Sequence, residues 1–345
     1  KKQIELTAYK GNVVNYGNME SQTSSVALTG AGIYKTELNN NYDVFSDITN
    51  YGSITAAEAV LLCTANGNIN NLNQIISQNS TVTIKAEKHS SYKGSESVGN
   101  IRNGAGASYD NKADITAKQG ISLQAVGSIL NVGDNLVTDV GDINVQTQGS
   151  IANIGDYSLA KDGNIKVTAG QEVINNGEYR INGNGSINVK ATGVVTETEG
   201  EKTAAGGDII NFGNYYTKSG NITMTSHDDV LNYGVMEAVT GDISIISTDG
   251  VIFNEGGADL LTGDGNVTLR AESQNGYYYY FDAKGELKTL PAGTTISKND
   301  KGEYVAQIGN GNNLVVKNGS VFNAGDILAL GGTITLESAQ GNLNN

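Results

Sequence analysis

Carboxylates, imidazoles, one thiol and a run of phenols are the groups through which this chain could act on a ligand. Glycan cleavage needs two carboxyl groups about 5 to 10 Å apart, one to protonate the leaving oxygen and one to serve as base or nucleophile. The best local candidates are Asp228 and Asp229, with His227 beside them and Asp208 in the preceding repeat. In an extended chain the two adjacent acids project to opposite faces. Asp208 opens a turn of the kind that favours Asp. Asp142, Asp208 and Asp242 each follow a glycine at a recurrent position, so a structural period accounts for them better than catalysis. No catalytic residue is assigned, and both histidines, His89 and His227, read as turn or surface residues.

Metal chemistry fares no better. A calcium β-roll needs tandem Gly-Gly-x-Gly-x-Asp nonapeptides. Gly256-Gly257-Ala258-Asp259 and Gly263-Asp264-Gly265-Asn266 lack that nine-residue period and read as turns. Cys63, the only cysteine, follows Val60-Leu61-Leu62 and reads as a small buried hydrophobe rather than a reactive thiol. Neither metal nor cofactor is expected. Thr-x-Thr, at Thr81-Val82-Thr83 and Thr223-Met224-Thr225, is too isolated for an ice-binding face. The phenols remain: Tyr277, Tyr278, Tyr279, Tyr280 and Phe281, with Tyr304 farther on. Such clusters bind sugars or proteins through large amphipathic faces, or else pack their own lobe against its support.

These groups must be held by a β-structure. Gly and Asn make up about a quarter of the 345 residues, a mixture hostile to helices and suited to tight turns. The hydrophobic share of 38% is too high for a disordered chain. No apolar run reaches the roughly 18 residues that span a bilayer, so no membrane insertion is expected. A net charge of −14 disfavours nucleic acid and anionic lipid, both of which are bound by clustered Lys and Arg.

A repeat organises the chain. An apolar residue followed by Asn-x-Gly occurs at Asn15, Asn50, Asn131, Asn153, Asn175, Asn211, Asn232, Asn254 and Asn323, with neighbouring copies 21 or 22 residues apart where the period is unbroken. A glycine four residues earlier gives the fuller unit Gly-x-Ile/Val-x-Asn-x-Gly, and degenerate copies add Asn71, Asn103 and Asn345. About ten residues after each Asn comes an alternating segment such as Gly141-Asp142-Ile143-Asn144-Val145, the mark of a strand with one buried face. A unit this short cannot bury a core by itself, so equivalent strands must stack. The expected fold is all-β: a parallel β-helix, or β-solenoid, of about 12 coils and about 58 Å long. Ile143, Ile165, Ile187, Ile222, Ile243 and Val267 would form one inner column. The Asn side chains would bond the turn and one another, in a turn open to left-handed backbone.

Four insertions, 30–47, 87–98, 192–206 and 277–317, interrupt one and the same corner of the coil, between the alternating strand and the next Asn strand. They form a candidate binding edge, with 277–317 as a small β-hairpin lobe on a single shaft spanning 1–345. A further extra stretch near 104–126 fits this corner or the next. Ile4-Glu5-Leu6-Thr7 already reads as a core strand and Gly341 to Asn345 stops in mid-unit, so the sequence reads as an excerpt of a longer shaft.

Coils such as Gly141-Asp142-Ile143-Asn144-Val145 to Gly155, and Gly220-Asn221-Ile222-Thr223-Met224 to Gly234, resemble the shaft of the filamentous haemagglutinin family. These are the long exoproteins of two-partner secretion systems in Gram-negative bacteria, including contact-dependent growth inhibition effectors. The resemblance covers most of the chain outside the insertions. It implies a right-handed coil, export through an outer-membrane partner transporter, and a secreted or cell-surface location. The implied function is adhesion to a host or bacterial cell-surface glycan or protein. Apart from the resemblance, a monomer is expected. A spacer carrying a distal toxin or receptor-binding tip, and a glycan-cleaving β-helix, are the alternatives.

Overall fold

The computed structural model describes residues 2–31, 34–37, 40–43, 45–88, 98–104, 113–198, 201–272, 278–281, 287–290, 294, 296–298, 304–308, 312–315, 317–339 and 342–345. Among them the regular structure is all β. Three parallel sheets run the length of the molecule, and each coil contributes one strand to each sheet in turn. A representative coil uses Ile143–Thr147, Ile151–Asn153 and Tyr157–Leu159. We call the three faces the long sheet, the asparagine sheet and the third sheet. The long sheet has 12 strands, from Ile4–Ala8 to Ile334–Ser338, and the third sheet has 11. The parallel β-helix expected from the repeat is therefore the fold.

Register is kept from coil to coil because a slip of one residue would turn every inward side chain outward. Ile143 pairs with Ile165, Ile165 with Ile187, Ile187 with Ile222, Ile222 with Ile243 and Ile243 with Val267, all buried. Inward residues of all three sheets merge into one apolar core. Each fully buried Ile contributes roughly 1.5–3 kcal/mol. The third sheet adds Tyr157, Tyr179 and Tyr215, fully buried and stacked with ring centroids 5.0 and 4.8 Å apart.

The asparagines form an unbroken ladder. Asn15, Asn50, Asn71, Asn103, Asn131, Asn153, Asn175, Asn211, Asn232, Asn254 and Asn323 each donate from Nδ2 to Oδ1 of the next, at 2.7–2.9 Å, and Asn345 accepts the last of these bonds. The second Nδ2 hydrogen caps the turn, as in Asn153 to the Gly155 carbonyl at 2.6 Å and Asn211 to the Gly213 carbonyl at 2.9 Å. A primary amide with two donors and an acceptor satisfies all of these bonds inside the core, which Asp cannot do. The turn is open to left-handed backbone at Gly104, next to Asn103, where φ is 113°. Glycines with left-handed φ do occur in the chain, but Gly155, Gly177, Gly213 and Gly234 are not among them. Their role is close approach: a Cβ on Gly213 would lie 1.8 Å from the Gly177 carbonyl oxygen of the coil before.

Shorter side-chain ladders mark the other corners. Asn12, Asp47, Asn68 and Asn100 each accept the backbone N–H of the equivalent residue one coil on. Asp142, Asn164, Asn221, Asp242 and Asn266 do the same before the long sheet. Asp47, Asp142 and Asp242 thus have structural duties in these ladders. Cys63 departs from expectation: it lies on the outer face of the long sheet, partly exposed, since its burial alternates with that of Leu62 and Thr64.

Candidate functional site

The inserted corner links the long sheet to the asparagine sheet. Where no insertion occurs the link is as short as Gln148-Gly149-Ser150, between strands Ile143–Thr147 and Ile151–Asn153. Longer chains leave the rod here after Gly30, Ala86, Ala191 and Ala271. They re-enter at Ile48, Ile101, Ile209 and Val321. The ladder is unaffected, for Asn254 still bonds Asn323 at 2.8 Å across 69 positions. The additional stretch after Gly104 belongs to the next corner, between Ile101–Asn103 and Ile115–Ala117.

Antiparallel hairpins occupy the inserted edge. Tyr34–Glu37 pairs with Asn40–Asp43, and Val194–Thr198 with Glu201–Ala205. In the largest insertion, Tyr278–Phe281 pairs with Leu287–Thr289 and with the start of Lys317–Asn323. Ile296–Lys298, Tyr304–Ile308 and Asn312–Val315 form a three-stranded antiparallel sheet. The candidate residue Tyr277 lies outside the described residues, as does His89. Tyr278, Tyr279, Tyr280, Phe281 and Tyr304 are placed by their strands alone. Hollows open at two insertion roots. One of about 190 Å³ is lined by Lys85, Glu87, Gln124 and Gln146, and one of about 570 Å³ by Arg270, Glu272, Leu336 and Glu337.

The hairpin Val194–Ala205 stands on Gly193, Gly206 and Gly207, all left-handed, with φ of 72°, 69° and 99°. At its foot the carboxylates of Asp208, Asp228 and Asp229 converge to within 4.8 Å of one another. Extended-chain geometry predicted divergence for Asp228 and Asp229. They lie instead in the corner bend between Ile222–Ser226 and Val230–Asn232, and stacking brings Asp208 beside them. Burial pushes the Asp228 carboxyl up to about 6, helped by the negative charge of Asp208. Burial likewise pushes Asp229 to about 7, against the opposing Val251 N–H bond and aided by Asp228 and Asp208. His227 Nδ1 is enclosed beside them without a hydrogen-bond partner.

Two of the three acids have structural duties. Asp208 Oδ1 accepts the Asp229 N–H at 2.9 Å, and Asp229 Oδ1 accepts the Val251 N–H at 2.8 Å. These are the corner-ladder positions held elsewhere by Asp47 and Asn68. Asp228 is the acid outside that ladder. The trio could hold a divalent cation through one oxygen each, or pair a protonated with an ionised carboxyl. The signal available in sequence was the offset of 21 residues between Asp208 and Asp229, one coil length.

Aromatic residues missed in sequence are also resolved. Tyr16 and Tyr51 stack in parallel with centroids 5.0 Å apart on the exposed side of the asparagine turn, and Phe212 with Tyr233 at 4.9 Å. Burial pushes the phenols of Tyr157, Tyr179 and Tyr215 well up, so the inner stack supplies no acid near neutrality. At Cys63, burial and then Glu87 raise the thiol, which keeps it protonated and unreactive. Searches of family models, curated proteins and solved structures returned no match to this chain.

Proposed function

We propose that the chain is a non-catalytic adhesive shaft, secreted or on a bacterial cell surface, that presents inserted loops to a glycan or protein of a host or neighbouring cell. One observation carries the reading: four insertions of different length leave the same corner while the parallel coils continue through them. Loops on a rigid scaffold commonly carry recognition. The resemblance to filamentous haemagglutinin shafts supports the same reading and adds an outer-membrane partner transporter for export.

Regular coils define clean excisions. Removing 273–318 joins Glu272 to Gly319, giving Glu-Gly-Ser-Val where a plain coil has Gln148-Gly149-Ser150-Ile151. Removing 193–206 joins Thr192 to Gly207 in the same manner. Binding of the fluorescent chain to cultured epithelial and bacterial cells is expected to fall severalfold in one or both variants while the melting midpoint stays within a few degrees. Undiminished binding by a variant lacking both segments would refute display from this edge. Failure of the parent chain to bind any cell would favour the spacer.

The carboxyl trio supports a second reading, glycan hydrolysis, in which Asp228 acts as acid beside an ionised neighbour. It predicts reducing-end release from a polysaccharide panel, abolished by Asp228→Asn. Equal release by parent and variant eliminates it.

A further inference from the structure

A second surface, on the outer face of the long sheet and bordering the root of the 87–98 insertion at one end, has the makings of a ligand trough. Strands Thr81–Ala86, Gly120–Ala125 and Ile143–Thr147 are consecutive and in register. Their outward residues are Thr81, Thr83 and Lys85, then Ser122 and Gln124, then Asn144 and Gln146. A hollow of about 320 Å³, lined by Thr81, Thr83, Gln119, Ser122 and Asn144, sits at the strand starts. The hollow of about 190 Å³ at Lys85, Gln124, Gln146 and Gln148 sits at the ends of the same strands. The two hollows share no lining residue but lie at opposite ends of the same three strands, and the polar face between them, about 20 Å long for six residues of strand, completes the trough.

Charges around this trough are already matched. Lys85 pairs with Glu87 at 2.5 Å, and Asp142 is held by Lys166 at 2.7 Å and by the Asn164 N–H. Gln124 donates to Ser122 at 3.3 Å. Among the described residues Thr83, Asn144, Gln146 and Gln148 form no side-chain hydrogen bond and are open to a ligand.

Three ligand classes fit poorly. The backbone groups of these strands are consumed by neighbours on both sides, so no edge exists for an added peptide strand. Aromatic anchors of the kind that dominate protein interfaces are missing from the lining. A polyanion meets no unpaired base at the trough and a chain of net charge −14. An extended, uncharged, polyhydroxylated chain does fit. Sugar hydroxyls both donate and accept, as do the hydroxyl and amide side chains in the trough. We infer that coils bearing Thr83, Ser122 and Asn144 bind a neutral oligosaccharide along this trough, a contact additional to the 277–317 lobe and not dependent on it.

Titration calorimetry of the full chain with neutral gluco-, manno- and galacto-hexasaccharides is the test. Saturable binding of at least one is expected. Asn144→Ala with Gln146→Ala, and separately Thr83→Val, should weaken it by about tenfold and severalfold, with unchanged melting midpoints. Asn188→Ala with Lys190→Ala, on the same face but outside the trough, should leave it unchanged, as should removal of 273–318. No binding of any hexasaccharide, equal affinity in the trough and control variants, or preference for heparin or polylysine would overturn the inference. So would loss confined to the 273–318 excision, which would move the sugar to the inserted lobe.

Discussion

The asparagine corner and the inserted corner lie one short strand apart in every coil, yet they obey different constraints. At the asparagine corner a side chain points inward and is bonded above, below and to its own turn, so a change is felt by three coils at once. Its glycines are packed against backbone of the preceding coil. At the inserted corner the stacking bonds are side chain to backbone, as from the Asp229 N–H to Asp208, and backbone to backbone, as from the Gly149 N–H to the Gly127 carbonyl, with no inward side-chain ladder, and the chain can leave the rod between them. Its glycines are of two kinds: a Cβ on Gly149 would lie 2.6 Å from the Gly127 carbonyl oxygen of the coil before, whereas Gly206, at a φ of 69°, would meet nothing within 4 Å. Variation gathers where the loss of one connection does not propagate. The asparagine corner is not immune, since one insertion follows Gly104, but that chain leaves after Asn103 has made its ladder bond.

This contrast is sharpest in the ladder itself. Asn153→Asp should be the most damaging single change, because a buried carboxylate loses the donations to Asn175 and Gly155 that the amide makes. Asn153→Ala orphans the same partners without adding charge, so about 3–5 kcal/mol is expected for Asp and less for Ala. Chemical denaturation at pH 7 checks the order, and the gap should narrow at pH 4, where the protonated acid regains one donor. Equal effects of the two variants would mean that the ladder contributes packing and not hydrogen bonds.

Glycine substitutions come next. Gly177→Ala puts a Cβ 2.0 Å from the Gly155 carbonyl oxygen and should lower stability by about 2–4 kcal/mol. Gly206→Ala, in open space, should cost only the left-handed preference, about 1 kcal/mol. Comparable thermal midpoints for the two variants would show that close approach to the coil before is not what Gly177 is needed for.

The smallest effect concerns the carboxyl trio. Both Asp228 and Asp229 have folded-state values raised above the ordinary 3.8, to about 6 and about 7. The unfolded chain therefore ionises first as pH rises. Their contribution to stability is greatest below about pH 4, is lost between about pH 4 and 7, and is flat above. Asp229→Asn keeps an oxygen for the Val251 N–H while removing the charge. It should raise the melting midpoint at pH 8 by a few degrees, corresponding to about 1–2 kcal/mol, and leave it unchanged at pH 4. The same rise at both pH values would show that charge is not the cause.

Most of the rod was legible in the primary structure, because a coil of 21 or 22 residues confronts each residue with its own equivalent and the pattern must recur. The twelve ladder asparagines, the Ile column and the corner that takes the large insertions follow from counting along the chain. What counting could not reach depends on how coils lie against one another. The glycine two residues after Asn131, Asn153, Asn175, Asn211 and Asn232 is required by the carbonyl of the coil before, not by its own φ. Cys63 faces out because its strand alternates with Leu62 and Thr64 turned to the core. Asp208 meets Asp228 and Asp229 because stacking places residues one coil apart within 4.8 Å, while a corner bend cancels the extended-chain divergence of neighbours. Sequence periodicity thus determined which residues are equivalent. Only the stacked structure decided which non-equivalent residues became neighbours, since contacts between coils depend on corner geometry that a repeat does not encode.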